Sequence, residues 1–301
     1  MKIIALVVTH NRFVLLQQSI AALQQQTIPV EILVVNNGST DQTAAWLSTQ
    51  PLQVITQTNQ GASGGFFSGI KAAYQQGADW IWAMDDDTIP TPFALERLIQ
   101  TANAVTTDLP KQPVGFVVSR ANWTDGNPHR MNVPDFIKNK KEAELLPQSD
   151  IGSWQCVRAA SFVSLLLSRQ AVATCGLPLR EFFIWADDTE YTTRITRTGF
   201  LGVYAPESIV LHKTVSNHSA NIFEATPQEA TKHFYGIRNK LYCRRQWKGA
   251  FSYWRNVLKH LFIFPIRILL NRRSHRWTFI VINWKATLAS IFFNPTIQRL
   301  A

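Results

Sequence analysis

An α/β fold with a mostly parallel sheet flanked by helices is what the first two thirds of this sequence predict. A basic, aromatic-rich helical appendage is expected behind it. Three observations carry that expectation. Strand and helix periods alternate over the first hundred residues, which calls for parallel strands joined by right-handed crossovers. The strand-like runs are continuously apolar, as strands buried on both faces must be. Three of them end in polar clusters: Thr9-His10-Asn11-Arg12, Asn36-Asn37-Gly38-Ser39-Thr40-Asp41 and Asp85-Asp86-Asp87. In an open α/β sheet, ligands bind at those strand ends.

Taken in order, Ile3 to Thr9 reads as the first buried strand. Leu15, Leu16, Ile20 and Leu23 recur at helical spacing, so a helix follows over Leu15–Gln26. Glu31 to Val35 is the second strand, and Ser39 or Thr40 is the expected cap of the helix through Trp46 and Leu47. Leu52 to Thr56 is the third strand. Asn59-Gln60-Gly61-Ala62-Ser63-Gly64-Gly65 then opens a helix, and Trp80 to Met84 is the fourth strand. Val114–Ser119 and Ala160–Leu167 are strand-like, separated by a polar, irregular excursion over Asn122–Gln148. Asp187–Thr198 is a helix stopped by Gly199, and Leu201–Ala205 and Ser208–His212 are two short strands. After Pro227 the chain reads as helices, broken near Pro265 and ended near Pro295.

At 301 residues the chain suits one large domain, 1–226, with an appendage, 227–301. Its 46% hydrophobic content excludes a disordered, collagen-like or coiled-coil chain. Cys156, Cys175 and Cys243 form neither a zinc pattern nor a disulfide framework, which fits a reducing cytosol. The apolar run at the N-terminus is too short for a signal peptide, and no window is apolar enough to span a bilayer clearly. Charge is unevenly spread. Thr231 to Ala301 holds 14 Lys and Arg and no Asp or Glu, which leaves 16 basic and 20 acidic groups in the first 230 residues. An anionic partner is therefore expected for the tail alone.

The sharpest cluster is Asp85-Asp86-Asp87. Three adjacent carboxylates repel at a buried strand end, and Mg²⁺ or Mn²⁺ bridging them to a diphosphate relieves that repulsion. A solvated acidic turn is the competing reading. The glycine-rich loop either brings backbone N–H groups to a phosphate or sugar or serves close helix packing; it lacks the Lys-Ser/Thr ending of a P-loop. Trp185-Ala186-Asp187-Asp188-Thr189-Glu190-Tyr191 opens a helix, where a carboxylate either caps the first turn or acts as a general base. His212, ending a strand, is either structural or a metal ligand beside the aspartates.

In this order, LVVTHNR, ILVVNNGSTD, NQGASGGFFSGI, WAMDDDTIP, FFIWADDTEY and VLHK resemble the family 2 inverting glycosyltransferases of GT-A, Rossmann-like fold. The matching stretches run from Leu6 to Lys213, and within the family they look most like bacterial galactofuranosyltransferases and related rhamnosyltransferases. The resemblance implies that Asp85, Asp87 and His212 hold Mn²⁺ or Mg²⁺, and that Asp188 is the catalytic base. It implies acceptor binding by Asp187, Glu190 and Trp185. Donor contacts are implied for Thr9, Asn11 and Arg12, for Asn36 and Asp41, for Asn59, Gly64 and Gly65, and for Asp85 and Asp86. Many relatives carry Asp-Asp or Asp-Asn where this chain has Asn36-Asn37; an asparagine still offers a donor and an acceptor to a pyrimidine edge. The implied reaction is a single displacement, with inversion, at C1 of a nucleotide-diphosphate sugar.

FFIWADDTEY and VLHK look closest to transferases of UDP-galactofuranose, so the resemblance favours that donor, with Asp187, Trp185 and the GASGGF backbone expected to meet the furanose's exocyclic diol. The alternative is dTDP-rhamnose, whose methyl group leaves pocket polar groups unpaired. The acceptor is expected to be a lipid-linked or oligosaccharide hydroxyl. In the tail, Trp247, Lys248, Phe251, Tyr253, Trp254, Arg255 and Lys259 interleave aromatic and basic groups. This suits peripheral attachment to the anionic inner face of the cell membrane from the cytoplasm. A helical subdomain packed on the body is the competing reading. Nucleic acid is not an expected partner, because no nucleic-acid fold accompanies the charge. Two further functions compete with transfer: a nucleotide-sugar binding protein that has lost catalysis, and a nucleotidyltransferase. The intact acidic motifs oppose the first, and Trp-x-Asp-Asp-x-Glu opposes the second.

Overall fold

The computed structural model describes residues 1–137, 154–217 and 220–300. Residues 138–148 of the expected excursion lie outside the described residues. The chain divides into two compact units. One holds Met1–Arg180, Asp188–His218 and Ile297–Ala301; the other holds Glu181–Asp187 and Ser219–Thr296.

The first unit is built on one sheet. Strands β1 (Ile3–Thr9), β2 (Glu31–Asn37), β3 (Gln53–Gln57) and β4 (Trp80–Asp85) pair in parallel in the order β3-β2-β1-β4. Beyond β4 the sheet is mixed. Strand β9 (Leu165–Ser168) runs antiparallel between β4 and β6 (Val114–Asn122), and β6 is parallel to β10 (Leu201–His212). Strands β8 (Gln155–Ala159) and β7 (Asp135–Phe136) complete the edge, and β5 (Thr88–Pro90) pairs with the far end of β10.

Residue alternation along β1 divides the core. Ile3, Ala5 and Val7 face α1 (Phe13–Gln24), α2 (Thr43–Leu47) and α4 (Ala94–Asp108). Ile4, Leu6 and Val8 face α3 (Gly61–Gln75), α5 (Arg169–Cys175) and α6 (Asp187–Arg197). Helices thus cover both faces, and the central strands β1 and β9 are fully buried while the edge strands β3 and β7 are partly exposed. Helix α3 lies very close to β1. A Cβ on Gly65 would fall 2.4 Å from Val8 Cγ1, and one on Gly69 would fall 2.2 Å from Leu6 Cδ1. Close packing is therefore one thing this glycine-rich run does.

Three local expectations are corrected. The helix after β2 begins at Thr43, and its backbone N–H is capped by Asp41 Oδ1 (3.0 Å), not by Ser39 or Thr40. The apolar run Ala160–Leu167 is not one strand, because Ser164 takes a left-handed conformation (φ +56°) between β8 and β9. Its hydroxyl is held there by Ser119 Oγ and Trp82 Nε1. Leu201–His212 is one strand rather than two. A register shift between Ala205 and Ile209 lets its first half pair with β8 and its second half with β5.

The second unit is helical. Thr226 and Glu229 form a reciprocal capping box before α7 (Ala230–Leu258). Helix α7 breaks at Gly249 (φ +75°), then continues through a π turn, Lys259–Ile263, into α8 (Phe264–Asn271) and, after a bend, α9 (Arg276–Phe292). Pro265 is thus not a break: the helical backbone runs from the π turn through it into α8, and its missing N–H leaves a carbonyl one turn back without a helical donor. Arg272 is buried at the bend, donating to the Ala225 carbonyl (2.7 Å) and the Ile222 carbonyl, with its guanidinium over the Phe279 ring. Among the described residues no helix is long and apolar enough to cross a membrane.

Candidate active site

Strand β4 ends at Asp85, and Asp86-Asp87 turn the chain into β5. Because β5 pairs antiparallel with β10, His212 lies opposite Thr88 in the ladder and next to Asp87. The Lys213 N–H donates to the Asp87 carbonyl (2.9 Å) and locks that register. Backbone pairing thus unites groups 125 residues apart in sequence. One ligand atom from each of Asp85, Asp87 and His212 lies within 4.8 Å of the others.

The electrostatics of this cluster are strained. Burial, then the neighbouring Asp87 and Asp188, push Asp85 up to about 6. Burial, with Asp87 and Asp85, pushes Asp86 up to about 7 despite Arg12. Burial also opposes ionisation of Asp87, but His212 and Arg12 outweigh it and bring Asp87 down to about 2. Arg12 Nη1 pairs with Asp87 Oδ2 and stands 3.5 Å from Asp86 Oδ1.

The residues fit a divalent cation. Asp87 Oδ1 is fully buried and accepts no hydrogen bond; His212 Nε2 stands 3.0 Å from it. The other ring nitrogen, Nδ1, is held by Asn132 Oδ1 at 2.7 Å, so Nε2 is the atom aimed into the cluster. A separation of about 3.0 Å is that of two adjacent octahedral ligands, each about 2.1 Å from one small ion. Two carboxylates and one imidazole form a hard, mixed O/N donor set suited to Mn²⁺ or Mg²⁺.

The strand ends around this cluster are knitted together. Thr9 Oγ1 donates to Asp86 Oδ2 (2.7 Å), and the His10 N–H joins it at 3.3 Å. Asn11, in a left-handed conformation (φ +54°), accepts from the Thr40 N–H through Oδ1 (2.7 Å). Asn36 Oδ1 accepts from the Ser39 N–H (3.1 Å). Asp41 holds the starts of both α1 and α2, accepting from the Phe13 and Thr43 N–H groups. Asn59 Oδ1 accepts from the Gly61 N–H (2.8 Å), and the Gly64-Gly65 pair follows in the first turn of α3.

Asp188 is half-buried in the first turn of α6, accepting from the Thr189 N–H (2.6 Å), and its charge is felt at Asp85. Glu190 is placed differently from the expectation of an open acceptor contact. Both of its oxygens are taken by the Arg194 fork (3.0 and 2.9 Å), and Arg194 also donates to the carbonyls of Cys175 and Leu177. This pair anchors α6. Trp185 and Asp187 belong to the segment Glu181–Asp187 of the second unit. In it, Phe183, Trp185 and Ala186 all have φ near +65°. Such residues cost about 1–3 kcal/mol each unless the surroundings enforce them. Buried Asn239 of α7 does so, donating to the carbonyls of Phe182 (2.9 Å), Ile184 (3.2 Å) and Trp185 (2.9 Å).

Sequence reading missed three residues. Asn132 orients His212 and donates to Ser161 Oγ (2.9 Å). His129 is buried with its ring centroid 4.4 Å from that of His212, and its Nε2 lies 2.8 Å from Thr214 Oγ1. Asn132 and His129 both sit in the stretch read only as irregular. The third, Asn239, carries its signal in the motif Phe234-Tyr235-Gly236-Ile237-Arg238-Asn239.

Comparison with known proteins bears on this geometry. A family model described as glycosyl transferase family 2 matches residues 4–161. The galactofuranosyltransferase GlfT1 of Mycolicibacterium smegmatis is 28% identical over 257 residues, covering 80% of this chain and 82% of the relative. GlfT1 of Mycobacterium tuberculosis is 28% identical over 259 residues, covering 81% and 82%. Among solved structures, TarS residues 1–349 of S. aureus aligns with a TM-score of 0.53 at 15% identity, covering 97% of this chain and 91% of that one. GalNAc-T7 with UDP, GalNAc and Mn²⁺ aligns with a TM-score of 0.57 at 11% identity over 82% of this chain, which spans 48% of that structure. At these identities the structural likenesses establish the fold alone.

Proposed function

This chain belongs to glycosyl transferase family 2, and from that premise we propose that it transfers galactofuranose from UDP-galactofuranose to a hydroxyl of a growing, lipid-linked bacterial surface glycan. The observation that carries the reading is the convergence of Asp85, Asp87 and His212 with Asp188 in electrostatic reach. The sugar rests on likeness to GlfT1 relatives along four fifths of the chain.

Asp188 takes the acceptor proton as that oxygen attacks C1 of the sugar. The C1–O bond to the diphosphate breaks, and its electron pair leaves with the nucleotide, so one displacement inverts the anomeric centre. Asp85, Asp87 and His212 would hold a divalent ion, which would supply positive charge to the leaving diphosphate. Arg12 assists from the same side of the cluster, and Thr9 fixes Asp86. Asn11, Asn36, Asp41, Asn59, Gly64 and Gly65 frame the nucleotide and sugar. Asp187 and Trp185 bind the acceptor, while Glu190 holds the helix that carries Asp188. Residues 1–226 form the catalytic domain. The basic appendage, 227–301, attaches to the anionic cytoplasmic face of the membrane.

The test is competition between UDP-galactofuranose and dTDP-rhamnose at equal concentration over lipid-linked acceptors, with and without EDTA. Galactofuranose transfer that stops in EDTA is expected. Preferential rhamnose transfer overturns the donor, and full activity in EDTA overturns the metal role.

A further inference from the structure

The helical pair formed by residues 250–271 and 276–292 buries Tyr253, Val257, Ile268, Phe279 and Ile280 together with polar Asn283, Thr287 and Ser290, and it presents further apolar side chains outward. Along the first rod the exposed side chains Phe251, Trp254, Leu258, Phe262, Ile266 and Leu270 recur every three or four residues, a stripe about 30 Å long at 1.5 Å per residue. Along α9, Trp277, Val281, Trp284, Leu288 and Phe292 do the same. Phe251 is 82% exposed, Leu270 77% and Phe292 87%, whereas Asn283, Thr287 and Ser290 on the opposite face of α9 are 0% exposed. A helix of a water-soluble protein keeps its outward face charged or polar, whereas here the outward face carries these apolar stripes as well.

The polar groups inside are all used. Asn283 Oδ1 meets His260 Nδ1 at 2.6 Å, and Ser290 Oγ meets the Tyr253 hydroxyl at 3.1 Å. The π turn and Pro265 free backbone carbonyls on the first rod. Asn283 Nδ2 donates to the His260 carbonyl (2.6 Å), and Trp284 Nε1 donates to the Leu261 carbonyl (2.9 Å). Small and polar residues between helices, and freed carbonyls satisfied by a neighbouring helix, are the rules of packing in lipid.

Exposed cations flank the stripes. Arg255, Lys259 and Arg267 each follow a stripe residue by one position, and Arg276 and Lys285 border the stripe of α9. No Asp or Glu occurs anywhere after Glu229. A crossing helix would bury those cations at the bilayer centre, whereas helices lying in the interface let them reach lipid phosphates.

We propose that residues 250–292 form a helical hairpin that embeds its outward apolar stripes in the acyl layer of one leaflet of an anionic bilayer. The proposal rests on the membrane attachment suggested above and goes beyond it, because the hold is hydrophobic as well as electrostatic. The test uses the full chain with vesicles of phosphatidylcholine containing roughly a third phosphatidylglycerol. The protein should float with the vesicles and stay bound at about 1 M NaCl, where surface charge is screened within about 3 Å. Tryptophan emission should be quenched by lipids brominated along the acyl chains. Phe262→Ser, Ile266→Ser and Leu270→Ser together should weaken partitioning about 100-fold or more, with the helical circular dichroism kept, since these side chains face outward. Should that variant misfold, quenching of the natural protein decides. Binding at low salt with full release at high salt and no quenching overturns the hairpin but leaves the anionic attachment. Absence of binding even at low salt overturns both. A dimer dissolved by the triple substitution, without vesicle binding, assigns the face to a second copy and overturns the proposal.

Discussion

Asp188 and Asn132 serve different parts of the proposed chemistry, one beside Asp85 and one behind His212, and each is tested by removing one function while keeping size or fold. Asp188→Asn keeps the Thr189 cap acceptor but loses the proton acceptor, so kcat should fall ~10²-fold or more. Nucleotide binding, followed by calorimetry, should persist; near-normal turnover in a folded variant would contradict the assignment. Asn132→Ala should leave His212 in place but unheld at Nδ1. Losing such a support typically costs 10–100-fold in metal affinity. Mn²⁺ titration followed by electron paramagnetic resonance checks this without turnover, and an unchanged affinity would make Asn132 merely structural. The two residues also differ in legibility. Asp85, Asp87 and Asp188 announce themselves, because carboxylates packed at a strand end or helix start are conspicuous in sequence. Asn132 and His129 do not, since their meaning comes only from chain folding over 80 residues or more. Glu190 looked like a member of the acceptor site because it shares a motif with Asp188. One turn further along the same helix, Arg194 claims it.

Elements were legible where they are local and repetitive. The apolar runs of β1, β2 and β4 and the helical spacing of α1 follow from burial on two faces. The antiparallel insertion of β9 was not legible, because pairing partners are chosen by three-dimensional packing rather than by the strand's own pattern. Nor was the continuity of β10, whose irregularity after Ala205 looks like a gap in sequence, while in space the strand runs on to pair with β5 and set His212 beside Asp87. The clamp between α7 and Glu181–Asp187 works at this scale as well. Asn239→Asp keeps the shape but replaces the amide donor with an acceptor facing three carbonyls. The left-handed residues should then relax, with a loss of about 1–3 kcal/mol in stability. We expect kcat to fall at least about tenfold, with the donor KM little changed, because the strained segment leads directly into Asp187 and Asp188. A stability loss without any change in kcat would limit Asn239 to folding.

Across the whole molecule, charge is partitioned: the second unit carries 13 Lys and Arg against four Asp and Glu. That asymmetry was readable from the sequence, whereas the outward apolar stripes were not, because both faces of α9 mix apolar and polar residues and only burial separates them. The cationic excess bears on acid stability through buried His233 and half-buried His260. Burial holds His233 down at about 4; Glu229 opposes this, while Lys240 and Arg272 reinforce it. The His233 ring packs against the edges of Trp185 and Phe279. Burial also lowers His260, its bond to Asn283 opposing and Arg244 and Lys240 reinforcing. Both groups bind protons more readily in the unfolded chain than in the folded one. The contribution of His233 is therefore complete above about pH 6.5 and is lost as pH falls towards about 4, and that of His260 is lost in the same direction. For His233 the loss is about 1–3 kcal/mol, on the scale of 1.36 kcal/mol per pH unit. Hydrogen exchange read at α7 should consequently accelerate between about pH 6.5 and pH 4, after correction for the intrinsic exchange rate. His233→Phe keeps an aromatic ring in the same niche and removes the proton site, so it should flatten that pH dependence while leaving protection at pH 7 nearly unchanged. An equally steep acid loss in His233→Phe would mean that His233 is not the group being protonated.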